Sequence, residues 1–381
     1  MRLHVVWLPH TVTSKQYSHC AYTQKVLNFC KMMLSIWYEV YHYGGEGSTV
    51  ECTEHIPIIS HSEREDWFWI HHKNSFPNIE FNADMLYRKQ ANSYAIDAIE
   101  ARIQPRDVIC LIWGVCQKQI ADAFPDHMTV EFGIWYEGTF AKFRVYESYA
   151  WMHYLYWKQG IEDGRYYDAV IPNYFDPMDF PYAEEKWDYV LYIGRFIPRK
   201  GISIAVEATK KAGARLVIAW QWAEKIGSSK IISNDLVVEG DHIEYVWAVW
   251  VEERWTLMSR AKAVIVPTMY LEPFWGVAVE AMMCGTPVIT SDWGAFPETV
   301  VHGKTGYRCR TLEQFVRAIN NVHTLSPRVC RDRARDNYWI NRVKYMYDEY
   351  FQQIYWLRWE WRSADNKTRE KLHSLNKFYP H

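Results

Sequence analysis

Short runs of β-branched and aromatic residues alternate with longer amphipathic segments along most of the chain. In the first half the runs are LHVVWL, EVYHYG, DVICLIW, MTVEFGI and YDAVIP, and in the second half they are YVLYIG, RLVIAW, IEYVWAV, AKAVIVP and TPVIT. This alternation is typical of βα units that build parallel sheets. The pattern therefore predicts an α/β protein with two parallel sheets, one in each half.

The stretch PNYFDPMDFPYAEEKW separates the two sets of runs and is rich in proline and acidic residues, as interdomain connectors are. It predicts an N-terminal domain over residues 1–180 and a second domain over 181–330. A long aromatic-rich helical pattern follows over 331–361. The polar residues 362–381 have the composition of a loosely held tail.

Composition narrows the classes of partner. The 43 basic and 45 acidic residues are well mixed and give a formal charge of −2, so no basic face indicates nucleic acid. The eight cysteines include no Cys-x2-Cys pair of the kind that binds zinc. The apolar run in the first residues is too short for a signal peptide, and no stretch approaches the ~20 apolar residues of a membrane span. We expect a cytoplasmic protein with small-molecule partners and no zinc site.

The segment GRFIPRKG follows the predicted strand YVLYIG and places Arg195 and Lys200 where a helix begins. A helix start offers unpaired backbone N–H groups and a positive dipole end, so two cations beside it would form a seat for a diphosphate. The alternative is a pair of solvated surface cations. The position at the carboxyl end of a strand favours a functional role.

The segment LEPFWGVAVEAMMCGTPVIT holds two glutamates eight positions apart, Glu272 just after a predicted strand and Glu280 inside the helix that follows. A carboxylate at the position of Glu280 can accept two hydrogen bonds from a ribose diol. The alternative is an ordinary helical glutamate at 280 and a helix-dipole partner at 272.

Three stretches, YIGRFIPRKGISIAVEA, VIPNYFDPMDF and the segment from LEPFWG to HGKTGY, resemble in their order the retaining glycosyltransferases of family four, also called group 1. The similarity covers about residues 170–322. It implies the GT-B fold, in which two Rossmann-like domains with parallel sheets face a central cleft. It also implies that the last helix, over 331–361, returns to the N-terminal domain.

The resemblance assigns roles to these residues. Arg195 and Lys200 would hold the donor diphosphate, Glu272 the hydroxyls of the transferred sugar, and Glu280 the ribose. No metal and no cofactor are expected, because cations and a helix start replace a divalent ion. The donor would further meet the loop that starts the helix, with Gly194, Phe274, Trp275, Gly276 and Val277.

The implied activity is metal-independent transfer of a sugar from a nucleotide sugar to a sugar or glycan acceptor, with retention of configuration. Two alternatives stay open: a glycan- or nucleotide-binding protein whose donor site is blocked, and a GT-B nucleotide-sugar epimerase or phosphorylase. The motifs carry no information on the base, the sugar, the acceptor, the linkage or the oligomeric state.

Tryptophan stands at positions where this family commonly has glycine. The chain has 18 glycines and 20 tryptophans, whereas average usage of about 7% would give roughly 27 glycines. Either the backbone is reshaped around the rings, or the donor site is weakened or lost. The positions with a family glycine are Trp220, Trp222, Trp247, Trp250 and Trp275. A similar exchange is suspected at Trp7, Trp37, Trp135 and Trp157.

The acceptor side offers fewer signals. His10, in the loop after the first strand, is the candidate catalytic helper from the N-terminal half. Glu131, Tyr136 and Glu137 lie in VEFGIWYEG, where relatives often carry a histidine. The segment TFAKFRVYESYAWMHYLYWK then predicts a helix with aromatic residues on several sides, which favours burial over contact with an apolar acceptor or a membrane surface.

Overall fold

The computed structural model describes residues 1–17, 20–68, 81–219, 224–226, 230–233, 236–246 and 251–356. The chain divides into two compact units. Unit 1 comprises Met1–Tyr174 and Ile340–His381, and unit 2 comprises Phe175–Trp339. Each unit is built around its own parallel sheet, which confirms the predicted α/β fold class.

The sheet of unit 1 has seven strands among the described residues, and all its neighbouring strands run parallel. They are β1 (Arg2–Val6), β2 (Glu39–Gly45), β3 (Glu54–Ile59), β4 (Val108–Leu111), β5 (Met128–Ile134), β6 (Phe143–Tyr146) and β7 (Asp168–Val170). Their order is β3-β2-β1-β4-β5-β6-β7, so the direction of strand addition reverses between β1 and β4. Open α/β sheets bind ligands at the carboxyl ends of strands beside such a reversal.

The helices of unit 1 include one from the far end of the chain. They are α1 (Ala21–Leu34), α2 (His61–Phe68), α3 (Leu86–Glu100), α4 (Lys118–Ala123), α5 (Tyr149–Lys158) and α12 (Ile340–Tyr355). The ring of Tyr347 on α12 lies 5.2 Å from that of Phe29 on α1, and the Tyr38 hydroxyl donates to Asp348 at 2.7 Å. These contacts bury α12 in the core of unit 1.

Unit 2 has a six-stranded parallel sheet and a small antiparallel one within its described part. The parallel order is β13-β9-β8-β14-β15-β16, with β8 (Trp187–Ile193), β9 (Leu216–Ala219), β13 (Ile243–Val246), β14 (Ala261–Val266), β15 (Val288–Ser291) and β16 (Gly306–Cys309). The small sheet contains β10 (Glu224–Ile226), β11 (Lys230–Ser233) and β12 (Leu236–Glu239).

The helices of unit 2 are α6 (Ile202–Lys211), α7 (Val251–Arg260), α8 (Gly276–Met283), α9 (Phe296–Thr299), α10 (Leu312–Asn321) and α11 (Pro327–Tyr338). Helix α8 is almost wholly apolar and buried, because it packs between the sheet and α11. In neither unit does a described helix have both the length and the apolar character that crossing a bilayer requires.

The observed boundaries differ from the expected ones. The chain enters unit 2 at Phe175 rather than near Phe180, and the helix expected over 331–361 is replaced by α11 and α12. The break falls at Trp339, which is extended with φ of −69° and ψ of 135°. Trp339 pairs with Phe175 in an isolated parallel bridge, so the helix cannot continue through it.

Each of the ten predicted runs contains a strand, but the expected helix over 139–158 is wrong in its first part. Residues Phe143–Tyr146 form β6 between β5 and β7, and the helix begins only at Tyr149. Ser148 provides the start signal, since its side chain accepts the N–H of Trp151 at 3.1 Å.

Candidate active site

Lys200 is fixed by the backbone that follows β8. Pro198–Lys200 form one 3-10 turn, and Gly201 comes next with φ of +74°. A Cβ atom at Gly201 would lie 2.0 Å from the carbonyl oxygen of Pro267, so only glycine fits. This close approach holds Lys200 against the end of β14, the strand beside β8.

Lys200 and Glu272 form a buried ion pair at the carboxyl ends of β8 and β14. Nζ of Lys200 lies 2.7 Å from Oε1 of Glu272, and the two side chains are 8% and 3% exposed. The ammonium also donates to the Tyr270 hydroxyl at 3.0 Å, and that hydroxyl donates to Oε2 of Glu272 at 2.7 Å. Oγ1 of Thr268 lies 2.9 Å from Oε1. Lys200 and Glu272 are predicted from the sequence, whereas the two hydroxyls that connect to them are not.

Burial acts on both members of the pair. It lowers the pKa of the Lys200 ammonium to about 8, although the charge of Glu272 acts in the opposite direction. It raises the pKa of the Glu272 carboxyl, which Lys200, Tyr270 and Thr268 counteract. Each charge is therefore stable in this environment chiefly because the other is present.

Trp275 occupies a glycine-like backbone position directly before α8. Its φ is +64° and its ψ 80°, a left-handed conformation that tryptophan adopts only with strain. Its ring centroid lies 3.4 Å from Nζ of Lys200, and its Cζ2 would lie 3.8 Å from a Cβ at Gly194. The indole therefore covers the Lys200 ammonium.

Glu280 lies inside α8 and is paired with Arg254, which the sequence does not mark as a site residue. Its Oε2 accepts from Nη2 of Arg254 on α7, and Glu280 is 6% exposed. Burial lowers the pKa of Arg254 to about 10, and its Nε has no partner in the described chain. Arg254 lies in the ordinary helical segment VEERW, which gives no signal of this contact.

The other expected donor-side residues lie in the loop after β8 and around the start of α8. Arg195 is exposed and Gly194 half-buried in the loop after β8. The Phe274 ring is buried 5.6 Å from that of Tyr338, so this side chain belongs to the core. Gly276 and Val277 are the first two residues of α8 and are half-buried.

Replacing Arg254 by methionine is expected to lower the free energy of unfolding by about 1–3 kcal/mol, because the Glu280 carboxylate then stays buried without its charged partner. Arg260→Met on the same helix is the control. Its guanidinium lies 4.0 Å from the exposed Glu185 carboxylate, a surface pair worth about 0–1 kcal/mol. Urea denaturation measures both, and equal losses in the two variants would contradict the role of the Arg254–Glu280 pair.

In unit 1, Glu131 and Tyr136 lie together, while His10 and Glu137 make other contacts. Oε2 of Glu131 accepts the backbone N–H groups of Phe140 and Ala141, both at 2.8 Å, and the Tyr136 hydroxyl donates to Oε1 at 3.3 Å. Glu131 thus fastens the loop between β5 and β6.

His10 and Glu137 have different surroundings. Nε2 of His10 lies 3.6 Å from Sγ of Cys20, and the imidazole is 6.0 Å from the Trp113 ring. Glu137 is exposed and pairs with Lys158 of α5. The four acceptor-side candidates therefore do not form one cluster.

The Glu131 carboxyl is expected to make stability depend on pH. Burial raises its pKa from 4.5 to about 7, so its stabilising contribution is full below pH 4.5 and is lost as the pH rises through 7. Glu131→Gln keeps an oxygen for both N–H groups but does not titrate. We expect urea denaturation to show this variant gaining stability relative to the wild type between about pH 5 and about pH 8.

Glu131→Ala is the control for this test. It removes the oxygen that accepts the two N–H groups, so it should be destabilised at about pH 5 and at about pH 8. Parallel pH profiles for the wild type and Glu131→Gln would contradict the raised pKa of Glu131.

The tryptophans at expected glycine positions fall into distinct groups. Trp37 resembles Trp275, with φ of +70°, but its side chain is 93% exposed. Trp7 packs in the core, Trp135 is half-buried and Trp157 is exposed on α5. At Trp37 and Trp275 tryptophan thus occupies a backbone that favours glycine. Four further positions lie outside the described residues: Trp220, Trp222, Trp247 and Trp250.

Sequence comparison matches the second half of the chain to a known family. The model of the family described as "Glycosyl transferases group 1" matches residues 178–337. Glycogen synthase of Mycobacterium tuberculosis is 30% identical over 185 residues, which are 44% of this chain and 42% of that protein. The O-antigen chain mannosyltransferase RfbU of Salmonella typhimurium is 28% identical over 165 residues, 43% of this chain and 46% of that protein. The chain thus spans less than half the length of these curated relatives.

Structural comparison extends over both units. Sucrose-phosphate synthase from Thermosynechococcus elongatus aligns with a TM-score of 0.62 at 16% identity, over 93% of this chain and 99% of that one. Anabaena Alr3699/HepE, solved in complex with UDP-glucose, aligns with a TM-score of 0.59 at 13% identity, over 93% of this chain and 100% of that one. At such identities the likeness concerns the fold.

The family match covers the β8 loop, the Lys200–Glu272 pair and α8, and the structural matches cover both parallel sheets. Both agree with the resemblance first noticed in the sequence, which is thereby confirmed. The chain has the GT-B fold, and its residues 178–337 match the model of the glycosyl transferases group 1 family.

Proposed function

We propose that this protein is a retaining glycosyltransferase, which moves a sugar from a nucleotide-sugar donor to a sugar or glycan acceptor. The observation that carries the proposal is the buried Lys200–Glu272 pair after β8 and β14, beside the start of α8. A lysine next to a helix start is a suitable seat for a diphosphate. The mannosyltransferase relative and the neighbour solved with UDP-glucose support this choice of donor class.

In this proposal the diphosphate, the sugar and the ribose of the nucleotide sugar each bind to named residues. Arg195 and Lys200 hold the diphosphate, and the first backbone N–H groups of α8 add to this positive site. Glu272 accepts hydrogen bonds from the hydroxyls of the transferred sugar. Glu280, oriented by Arg254, accepts those of the ribose.

In the proposed reaction, negative charge develops on the diphosphate as it leaves the sugar. The bond between the anomeric carbon and the diphosphate oxygen breaks, and the acceptor oxygen bonds to the anomeric carbon from the same face. The departing diphosphate takes the proton of the acceptor hydroxyl. Lys200 and Arg195 stabilise the negative charge on the diphosphate, which is the task that a divalent cation performs in other transferases. We therefore propose that the reaction needs no metal.

A turnover screen with UDP-, GDP- and ADP-sugars and a panel of neutral sugar acceptors tests the proposal. We expect one nucleotide sugar to yield nucleotide and glycosylated product at equal rates with and without EDTA. A rate that falls in EDTA would refute metal independence. Nucleotide release without product would favour hydrolysis, and an isomerised donor would favour an epimerase. Nucleotide-sugar binding without any turnover would favour the binding-protein alternative.

A further inference from the structure

A buried arginine of unit 1 has an unused hydrogen-bond donor. Arg64 lies on α2 and is 7% exposed. Its Nη2 donates to Nδ1 of His61 at 2.8 Å, whereas its buried Nη1 has no partner among the described residues. No carboxylate in the described ranges forms an ion pair with this guanidinium. Since buried charges in proteins are normally paired, we expect an anion to bind this guanidinium.

Two glycines keep space open beside Arg64 and His61. A Cβ atom at Gly45 would lie 3.5 Å from Nη1 of Arg64 and 3.3 Å from the carbonyl oxygen of Thr11. A Cβ atom at Gly47 would lie 3.3 Å from Nε2 of His61. Because Nδ1 of His61 accepts the bond from Arg64, a neutral His61 carries its proton on Nε2. Two N–H donors therefore border this glycine loop.

The loop lies at the edge of the sheet where α/β proteins bind ligands. Gly45 ends β2, and Thr11 belongs to the loop after β1. The two loops are tied together, because Ser48 Oγ accepts the N–H of Thr13 at 3.0 Å and donates to the carbonyl oxygen of Gly45 at 2.7 Å. The donors Arg64 and His61 come from α2, and the joined loops after β1 and β2 give them a fixed backbone border.

The acidic residue of this loop accepts a backbone N–H group rather than the Nη1 donor of Arg64. The Glu46 carboxylate accepts the backbone N–H of His61 at 3.1 Å, which places it at the start of α2. His61 is exposed, so solvent and small ligands reach the loop from its side.

We propose that Arg64 and His61 form an oxyanion-binding subsite of unit 1, which holds a phosphate or carboxylate group of the acceptor. A guanidinium and an imidazole N–H provide directed donors to such a group, and the guanidinium supplies its counter-charge. The inference rests on the proposed function in one respect: it assigns the anion to the acceptor. An acidic sugar or a sugar phosphate would then be preferred over a neutral sugar.

Titration calorimetry on the full chain tests the subsite, with inorganic phosphate, glucose 6-phosphate, glucuronate and glucose as probes. We expect the wild type to bind at least one acidic probe and to bind glucose more weakly. Arg64→Gln should weaken that binding about tenfold or more. Binding of phosphate but not glucuronate identifies a phosphorylated acceptor, and the reverse identifies an acidic sugar.

Two further variants locate the binding. Gly45→Ala fills the space beside Nη1 without removing Arg64, and it should weaken binding even if Arg64→Gln fails to fold. Arg195→Gln removes an exposed cation of the proposed donor loop and should leave the subsite intact. Wild-type affinity in Gly45→Ala, loss confined to Arg195→Gln, or no binding of any acidic probe would each overturn the subsite.

The turnover screen separates this inference from the proposed function. Turnover with neutral acceptors but no binding of acidic probes would refute the subsite alone. Binding of acidic probes that depends on Arg64, without turnover of any nucleotide sugar, would refute the transferase function and keep the oxyanion site.

Discussion

Replacing Lys200 by methionine is expected to lower the free energy of unfolding by about 3–5 kcal/mol. The reason is that Glu272 then keeps a buried charge without its counter-ion, since its side chain is only 3% exposed. The Tyr270 and Thr268 hydroxyls still donate to the carboxylate, but they do not neutralise it. Urea denaturation of the wild type and Lys200→Met gives the difference directly.

The matched controls are Glu272→Leu and the double variant Lys200→Met/Glu272→Leu. Because two apolar side chains of similar volume need no counter-charge, we expect the double variant to recover most of the lost stability. It should nevertheless bind nucleotide sugar much more weakly than the wild type, since two of the proposed donor contacts are gone. A double variant whose loss equals the sum of the single losses would contradict the coupling between Lys200 and Glu272.

The second large effect concerns Trp275. We expect Trp275→Gly to bind nucleotide sugar about tenfold or more tightly than the wild type, because the substitution uncovers the Lys200 ammonium. We also expect it to relieve strain of about 1–2 kcal/mol, because glycine adopts the observed φ of +64° without steric cost. Nucleotide-sugar titration measures the affinity, and thermal unfolding measures the stability.

Trp37→Gly separates these two effects. Trp37 has the same backbone strain, with φ of +70°, but its exposed indole belongs to unit 1, whereas the proposed donor loop belongs to unit 2. We expect it to gain about 1 kcal/mol of stability and to leave nucleotide-sugar affinity unchanged. Affinity in Trp275→Gly no higher than in Trp37→Gly would show that the indole does not block the donor.

The repeating strand pattern was predictable because each core strand carries a strong apolar run between turns. Strand β6 was missed, since FRVY continues into an aromatic helix without glycine or proline between them. Strand β3 was also missed, because Pro57 interrupts its apolar run. The short strands β10, β11, β12 and β16 were missed because three or four residues carry little periodicity.

Lys200 and Glu272 could be selected from the sequence because they lie in loops that follow core strands, and their donor-binding roles stay predictions. Their ion pair and the other side chains that hold them could not be predicted. Tyr270 and Thr268 have unremarkable local sequences, and Arg254 meets Glu280 only through the packing of α7 on α8. Contacts of this kind are set by the three-dimensional fold rather than by spacing along the chain.

Whether a tryptophan at an expected glycine position is strained depends on its backbone φ angle, which the sequence does not give. A tryptophan at an expected glycine position is harmless where the backbone is ordinary, as at the buried Trp7, and strained where φ is positive, as at Trp275. For the acceptor side, His10, Glu131, Tyr136 and Glu137 stay predictions. The two N–H groups that Glu131 accepts also give it a structural role that its sequence neighbourhood does not reveal.

The anomeric configuration of the sugar product, determined by NMR for the wild type and Trp275→Gly with the same nucleotide-sugar donor, tests most directly whether this protein is a retaining glycosyltransferase. We predict that both chains release nucleotide, that the product keeps the configuration of the donor, and that Trp275→Gly is the faster. A product of inverted configuration, or no nucleotide release from either chain with any UDP-, GDP- or ADP-sugar, would contradict this function.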